Sequence, residues 1–323
     1  MASPGLSEIV TTTLRNRSGV IADNMSKNNA LLNRLNKRGK VKPFSGGRTI
    51  VQELSYQENS TFQYYSGYEA LNISPSDVIS AAEFDIKQAS VAVSISGLEQ
   101  AQNSGPDALL DLLEARIEVA EKTMQNNLSI GMYSDGTGSS GKQIGGLQLL
   151  VADSPTTGTV GGINRATYSF WRNQKFQTTN DGGSAASATN IQRFMNTLYM
   201  QCMRGSDKPD LILADTNYYQ FYWNSLQAIQ RITQANEADA GFVSLKYLGA
   251  DVVADGGIGG GCPTKHAYFL NTDYLFWRPH RDRNMVPLDS IRSINQDATV
   301  QLIIWMGNMT LSNAELQGVL FET

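Results

Sequence analysis

The sequence predicts an α+β fold in which a projecting N-terminal quarter precedes a helix-and-sheet body. Three observations carry that expectation. Opposite charges are segregated into adjacent blocks near the N-terminus. One continuous apolar helical face runs through residues 106–128, and short apolar strands alternate with helices over residues 187–283 before a strand-rich tail.

Composition narrows the class. Of 323 residues, 41% are hydrophobic and 17% charged, which suits a folded protein whose surface is largely polar but uncharged. The net charge of −4 gives no case for nucleic-acid binding by the whole molecule. No apolar run approaches the ~20 residues of a membrane span. The opening Met-Ala-Ser-Pro-Gly-Leu-Ser-Glu lacks a basic and an apolar signal region, so no membrane partner is expected. Cys202 and Cys262 are expected as free thiols in a protein made in a cytoplasm.

Residues 1–48 read as an arm. Between Asn24 and Arg48 stand seven bases and no acid: Lys27, Arg34, Lys37, Arg38, Lys40, Lys42 and Arg48. Leu31, Leu32 and Leu35 form a narrow stripe that predicts a short helix around 25–35, stopped before Gly39. Between Thr49 and Ile86 the sign reverses to six acids and no base: Glu53, Glu58, Glu69, Asp77, Glu83 and Asp85. Adjacent blocks of opposite sign suggest segments that leave the body and meet partners, including copies of the same chain.

Residues 48–95 read as extended. Thr49–Val51 and Phe62–Tyr65 are strand-like, and the apolar phase of a long strand, Phe84–Ile95, changes near Lys87-Gln88. Strand periodicity is two, so that change predicts a bulge or a bend where a projecting hairpin enters a body sheet. Pro106 and Asp107 then start the strongest helix, with Leu110, Leu113, Ile117, Ala120, Met124 and Leu128 on one face and a Glu118–Lys122 pair outside it. Residues 147–186 read as mostly loop, and Asn180–Ser187 as a hinge. Helices over 190–203 and 216–232 alternate with strands at 211–214, 247–253, 266–270 and 274–277, with Asp251 unexplained by pattern. In the tail, Val300, Leu302, Ile304 and Met306 alternate on one face.

Motifs for chemistry fail on context. Gly136–Lys142 has phosphate-loop spacing, but Gln143 replaces the magnesium-holding hydroxyl and a helix precedes it where a strand is required. His280-Arg281-Asp282 matches only the opening of a kinase catalytic loop and reads as a polar connection between domains. Gly256–Cys262 is glycine-rich but is followed by Pro263, where a dinucleotide fold needs a helix. His266 and His280 share no metal spacing with the cysteines, and no carboxylate pair stands out. No catalytic residue, metal or cofactor is expected.

The order of elements resembles the major capsid proteins of tailed bacteriophages, the Hong Kong 97-type fold. Local text is also family-like: Ala115–Asn126, Gly145–Leu150, Gly162–Trp171 and Asp210–Asp215. The resemblance implies an N-terminal arm (1–48), an extended loop (49–83), a peripheral domain (84–186 and 284–323, spine helix about 106–128) and an axial domain (187–283). It implies self-assembly through pentamers and hexamers into an icosahedral head around double-stranded DNA, which is touched without sequence specificity. A portal, a separate scaffolding protein and a decoration protein are implied partners, and the virion is the implied location, after synthesis in a bacterial cytoplasm. Residues 49–86 contain no lysine, so the covalent crosslinks of some members are not expected.

Inter-subunit residues on this reading are the seven arm bases above, with Glu53, Glu58, Phe62, Tyr64, Tyr65, Tyr68 and Glu69 on the loop. Burial of the loop's aromatics should contribute more than its charges. The competing readings are a cytosolic enzyme built on the α/β block and another structural virion protein.

Overall fold

A computed structural model describes residues 29–102, 106–226, 244–257, 260–289, 291–292 and 296–322, with the side chains of 100–115 outside that description. The first element is helix α1 (Ala30–Lys37), capped by Asn29, whose Oδ1 accepts from Leu32 N at 2.9 Å. Its stop is a paired C-terminal turn. Gly39 sits at φ +65° while Gly39 N donates to Asn36 O and Lys40 N to Leu35 O. Leu31, Leu32 and Leu35 are buried, as their spacing predicts. The structure places this half of the arm on the chain's own body. Lys42 N donates to Trp277 O and Phe44 N to Pro279 O, so residues 40–44 run as an added parallel strand.

A hairpin follows, β1 (Thr49–Ser55) with β2 (Ile79–Asp85), paired in register from Thr49↔Asp85 to Ser55↔Ile79. After a break at Ile86 the chain continues as β3 (Lys87–Ser96), which pairs with a different sheet. The change of phase in the sequence marks that change of sheet. Phe62–Tyr65, expected as strand, is irregular. Turns flank it on both sides: Phe62 N donates to Asn59 O, Asn59 Oδ1 accepts from Thr61 N, Glu69 Oε2 from Ser66 N, and Asn72 Oδ1 from Ser74 N.

Helix α2 (Pro106–Gly131) buries Ile117, Ala120, Met124 and Leu128, while Glu118 and Lys122 pair at 2.7 Å on its exposed side. Each large apolar residue so buried contributes about 1.5–3 kcal/mol. The stretch expected as loop contains three short strands, β4 (Thr159–Val160), β5 (Ile163–Asn164) and β6 (Gln174–Gln177). The β4–β5 turn fastens the hairpin's base: Glu83 N donates to Gly161 O at 2.9 Å. Gly161 has φ +58°, and a Cβ there would lie 2.9 Å from Ala82 and 3.0 Å from Phe84, so both conformation and close approach require glycine.

The rest of the body follows as α3 (Ile191–Gln201), β7 (Leu211–Ala214), α4 (Thr216–Ser225), β8 (Ser244–Tyr247), β9 (Ala250–Ala254) and β10 (His266–Leu270). Then come β11 (Leu275–Pro287), β12 (Ile291–Arg292), β13 (Ala298–Leu311) and β14 (Gly318–Phe321). Asp215 caps α4, accepting from Thr216 N at 2.7 Å; the expected helix beyond 226 lies outside the described residues. The single strand expected over 247–253 is two strands joined by a turn at Leu248-Gly249. The kinase-like tripeptide lies inside β11, at a register shift, and is not an interdomain connection.

Two sheets organise the body. One has four strands: β11 and β12 pair on one side of β13, and β3 on the other. Its deeper face carries Gln301, Ile303 and Trp305, not the 300/302/304/306 set. Alternation fixes that faces differ but not which one meets the core, and here both carry apolar residues. The other sheet has six strands in the order β6-β14-β10-β7-β9-β8. It is the common wall of two cores: Leu211, Leu213, Tyr268 and Leu270 face one, while Ile212, Ala214, Ala267 and Phe269 face the other, under α3 and α4. Because β6 precedes residues 180–187, that segment lies within this layer and is not a hinge between bodies. It is also fastened there: Ser184 N donates to Thr178 O and Ala186 N to Glu322 Oε2.

Candidate assembly surface

The loop between β1 and β2 presents apolar surface that the described residues leave uncovered. Exposure is 75% at Phe62, 91% at Tyr64, 90% at Ile73 and complete at Tyr68, and Tyr65, Leu71 and Ile79 are also exposed. Phe62 and Tyr64 meet edge to face at 5.3 Å, but this pair covers little of either ring. Scattered exposed apolar residues are ordinary, whereas a contiguous set marks a contact surface. Where the hairpin ladder gives way to the loop, Tyr56 packs on Phe170, and Phe170 on Tyr168. Clefts of about 400 and 570 Å³ flank these rings, the first edged by Glu58 and Arg204, the second by Ile79 and Gly162.

The acids of the loop are also outward. Glu53 and Glu58 are exposed and form no ion pair among the described residues. Glu69 is spent on the local turn with Ser66, and Glu83 accepts from Thr49 Oγ1 at 3.3 Å.

The arm bases behave in the opposite way. Arg34 lies 3.0 Å from Asp210 Oδ2 and 3.1 Å from Asp251 Oδ2. Arg38 reaches Asp210 at 3.3 Å and Asp273 at 3.0 Å, and Lys40 reaches Asp273 at 3.3 Å. Lys42 stands 5.1 Å over the Phe276 ring. Lys37 and Arg48 are exposed, and Lys27 lies outside the described residues. Among the described residues, therefore, no ion pair joins the basic block to the acidic block. Arg34, Arg38 and Lys40 close on acids of the body instead.

Asp251, unexplained by pattern, is the centre of that arrangement. It is buried in the middle of the six-stranded sheet's edge region, where Lys246 as well as Arg34 meets its carboxylate. Asp210 is held further by Thr272, through N at 2.7 Å and Oγ1 at 2.8 Å. A buried acid in an apolar strand is the one sequence signal that pointed here; its partner in the arm is too distant in sequence to be read from pattern.

No group of three or more His, Cys, Asp or Glu able to hold a metal occurs among the described residues. The phosphate-loop lookalike is an exposed turn with Ser139 and Ser140 at positive φ, Asp135 Oδ1 accepting from Thr137 N, and no helix of useful length. Both thiols are free and buried. Burial pushes the Cys202 thiol up to about 12, and burial, with Asp255 and Asp215 nearby, pushes Cys262 well up, so neither is a nucleophile near neutrality. Asp255, raised by burial, accepts from Tyr133 behind Cys262.

No protein-family model and no curated protein matches the sequence. Solved structures do resemble the fold. A chain of the Cyanophage A-1(L) capsid asymmetric unit aligns with a TM-score of 0.63 at 14% identity, over 88% of this chain and 90% of that one. A protein of Gordonia phage Cozz aligns at 0.54 and 12%, over 88% and 85%. The holo-SrpI encapsulin complex from Synechococcus elongatus PCC 7942 aligns at 0.52 and 10%, over 89% and 86%. Such identities show a shared fold, and the fold is the expected Hong Kong 97 type.

Proposed function

We propose that this chain is the major capsid protein of a tailed bacteriophage, building an icosahedral head around double-stranded DNA by self-assembly, with a structural and not an enzymatic role. The observation that carries the reading is the run of seven exposed large apolar side chains from Phe62 to Ile79, raised on a hairpin of a fold shared with phage capsid chains. A second copy covers that run, and hydrophobic burial at about 25 cal/mol per Å² supplies most of the contact energy. In this reading residues 49–83 are the extended loop, the helix over 106–131 is the spine, and the six-stranded sheet with α3 and α4 is the axial domain around five-fold and local six-fold axes. Without a lysine in residues 49–86 the shell is non-covalent. A portal, a separate scaffolding protein, packaged DNA and a decoration protein complete the set of partners, in the virion.

The test is direct. The expressed chain, sedimented and viewed by negative stain, should give uniform shells or rings of five or six that run as monomers in denaturing gels. A small stable oligomer with a ligand-dependent melting temperature would overturn the reading in favour of an enzyme. The likeness to an encapsulin complex supports a second reading, a closed compartment without a genome. Nuclease-protected DNA in particles from the native source decides for the head; its absence decides for the compartment.

A further inference from the structure

His266 opens β10 where the two cores share their wall, and its ring stacks between Tyr268 (centroids 6.2 Å) and Phe321 (5.9 Å). Both ring nitrogens face acceptors. Nε2 lies 3.0 Å from Asp153 Oδ2, and Nδ1 lies 2.8 Å from Thr264 O. A neutral imidazole has one N–H and satisfies one of these; the imidazolium satisfies both. His280 is the counter-example, since its Nδ1 accepts from Asp282 N at 3.1 Å and must be free of a proton there.

The groups around His266 come from every element packed on it. Asp153 comes from the loop after the buried pair Leu150-Val151. Lys265 pairs with Glu322 at 2.7 Å, and Glu322 also accepts from Ala186 N at 3.0 Å. Asp215, the cap of α4, accepts from Lys265 N at 3.0 Å, and Cys262 lies 3.6 Å from His266 O, with Asp255 behind it. The Lys265 ammonium is engaged by Glu322, and His266 is the cation-forming group that meets Asp153 among the described residues. The loop that bears Asp153 is anchored at both ends. Asn173 holds Ala152 through two hydrogen bonds (3.0 and 2.9 Å), and Arg165 N donates to Gly158 O at 3.0 Å. Between those anchors, Asp153 is the described residue whose side chain reaches the sheet.

We propose that His266 is a proton-operated clasp: protonated, it satisfies Asp153 and Thr264 together and ties the 153–157 loop to the six-stranded sheet across the junction of the two cores; neutral, with one N–H for those two acceptors and no charge, it holds that loop less tightly. Burial alone would lower the histidine, but the hydrogen bonds to Asp153 and Thr264 and the fields of Asp153 and Asp215 outweigh it and raise it above its ordinary 6.5. A raised value gives the clasp its sign. It is fully closed below 6.5 and is lost as pH rises through the raised value.

The experiment needs no shell, so its outcome is separate from that of the capsid reading. Hydrogen exchange of the full-length chain, corrected for intrinsic rates, is compared at about pH 6 and about pH 9, alongside an NMR titration of the two histidines. Protection of residues 152–158 should fall several-fold at the higher pH, with α3 unchanged, and His266 should titrate above 6.5. Asp153→Asn and His266→Gln should both be loose and flat with pH, and each is checked for unchanged protection in α3. Equal protection at both pH values in the unaltered chain, persistence of the pH dependence in His266→Gln, or titration of His266 below 6.5 would each overturn the proposal.

Discussion

The arm and the loop lie side by side in sequence and carry opposite charge, yet they solve opposite problems. Residues 29–44 bury Leu31 and Leu35 and pair Arg34, Arg38 and Lys40 with Asp210, Asp251 and Asp273 of the same chain. Residues 58–79 leave both their aromatics and their acids in solvent. The difference teaches that charge segregation alone does not locate an intermolecular surface. A charge can be satisfied by a partner far away in sequence, whereas an exposed aromatic run has no partner until another molecule supplies one.

Three sets of substitutions test that contrast. The largest effect is expected from Phe62→Ser/Tyr64→Ser/Tyr65→Ser. At about 1.5–3 kcal/mol per buried aromatic, assembly measured by sedimentation should be lost while the melting temperature of the unassembled chain holds. A melting temperature that falls with assembly would place those side chains in an internal core after all. Next comes Arg34→Met, which leaves Asp251, only 2% exposed, short of a counter-charge. Breaking such a pair costs about 3–5 kcal/mol in chemical denaturation, and adding Asp251→Asn should return part of it. Smallest are Glu53→Gln and Glu58→Gln, expected to change assembly by less than about 1 kcal/mol and only at low salt. A larger, salt-sensitive effect would restore the idea that opposite blocks of neighbouring chains guide register.

What the sequence disclosed was local. The periodicity of residues 106–128 gave the long helix α2, and the phase change near Lys87 gave the passage from hairpin to body, because both are written in consecutive side chains. Strand β6 was invisible because Gln174-Lys175-Phe176-Gln177 offers a single apolar residue; it is a strand by virtue of parallel pairing with β14. The loop's aromatics stand exposed, but their strand-like spacing misled, since turns built by Asn59, Glu69 and Asn72 flank them where a strand would need a ladder partner. The docking of the arm escaped for the same reason as β6. Its partners, Asp210, Asp251 and Asp273, are brought together only by the sheet.

Strand β14 lies inside the six-stranded sheet between β6 and β10, and β13 is the centre of the other sheet. Neither sheet can close until residues 298–321 have been made. At about 5–20 residues per second, the hairpin spends on the order of tens of seconds outside the ribosome before its own body can form. Synthesis order thus sets a delay between making the exposed apolar run and completing the sheets that carry it.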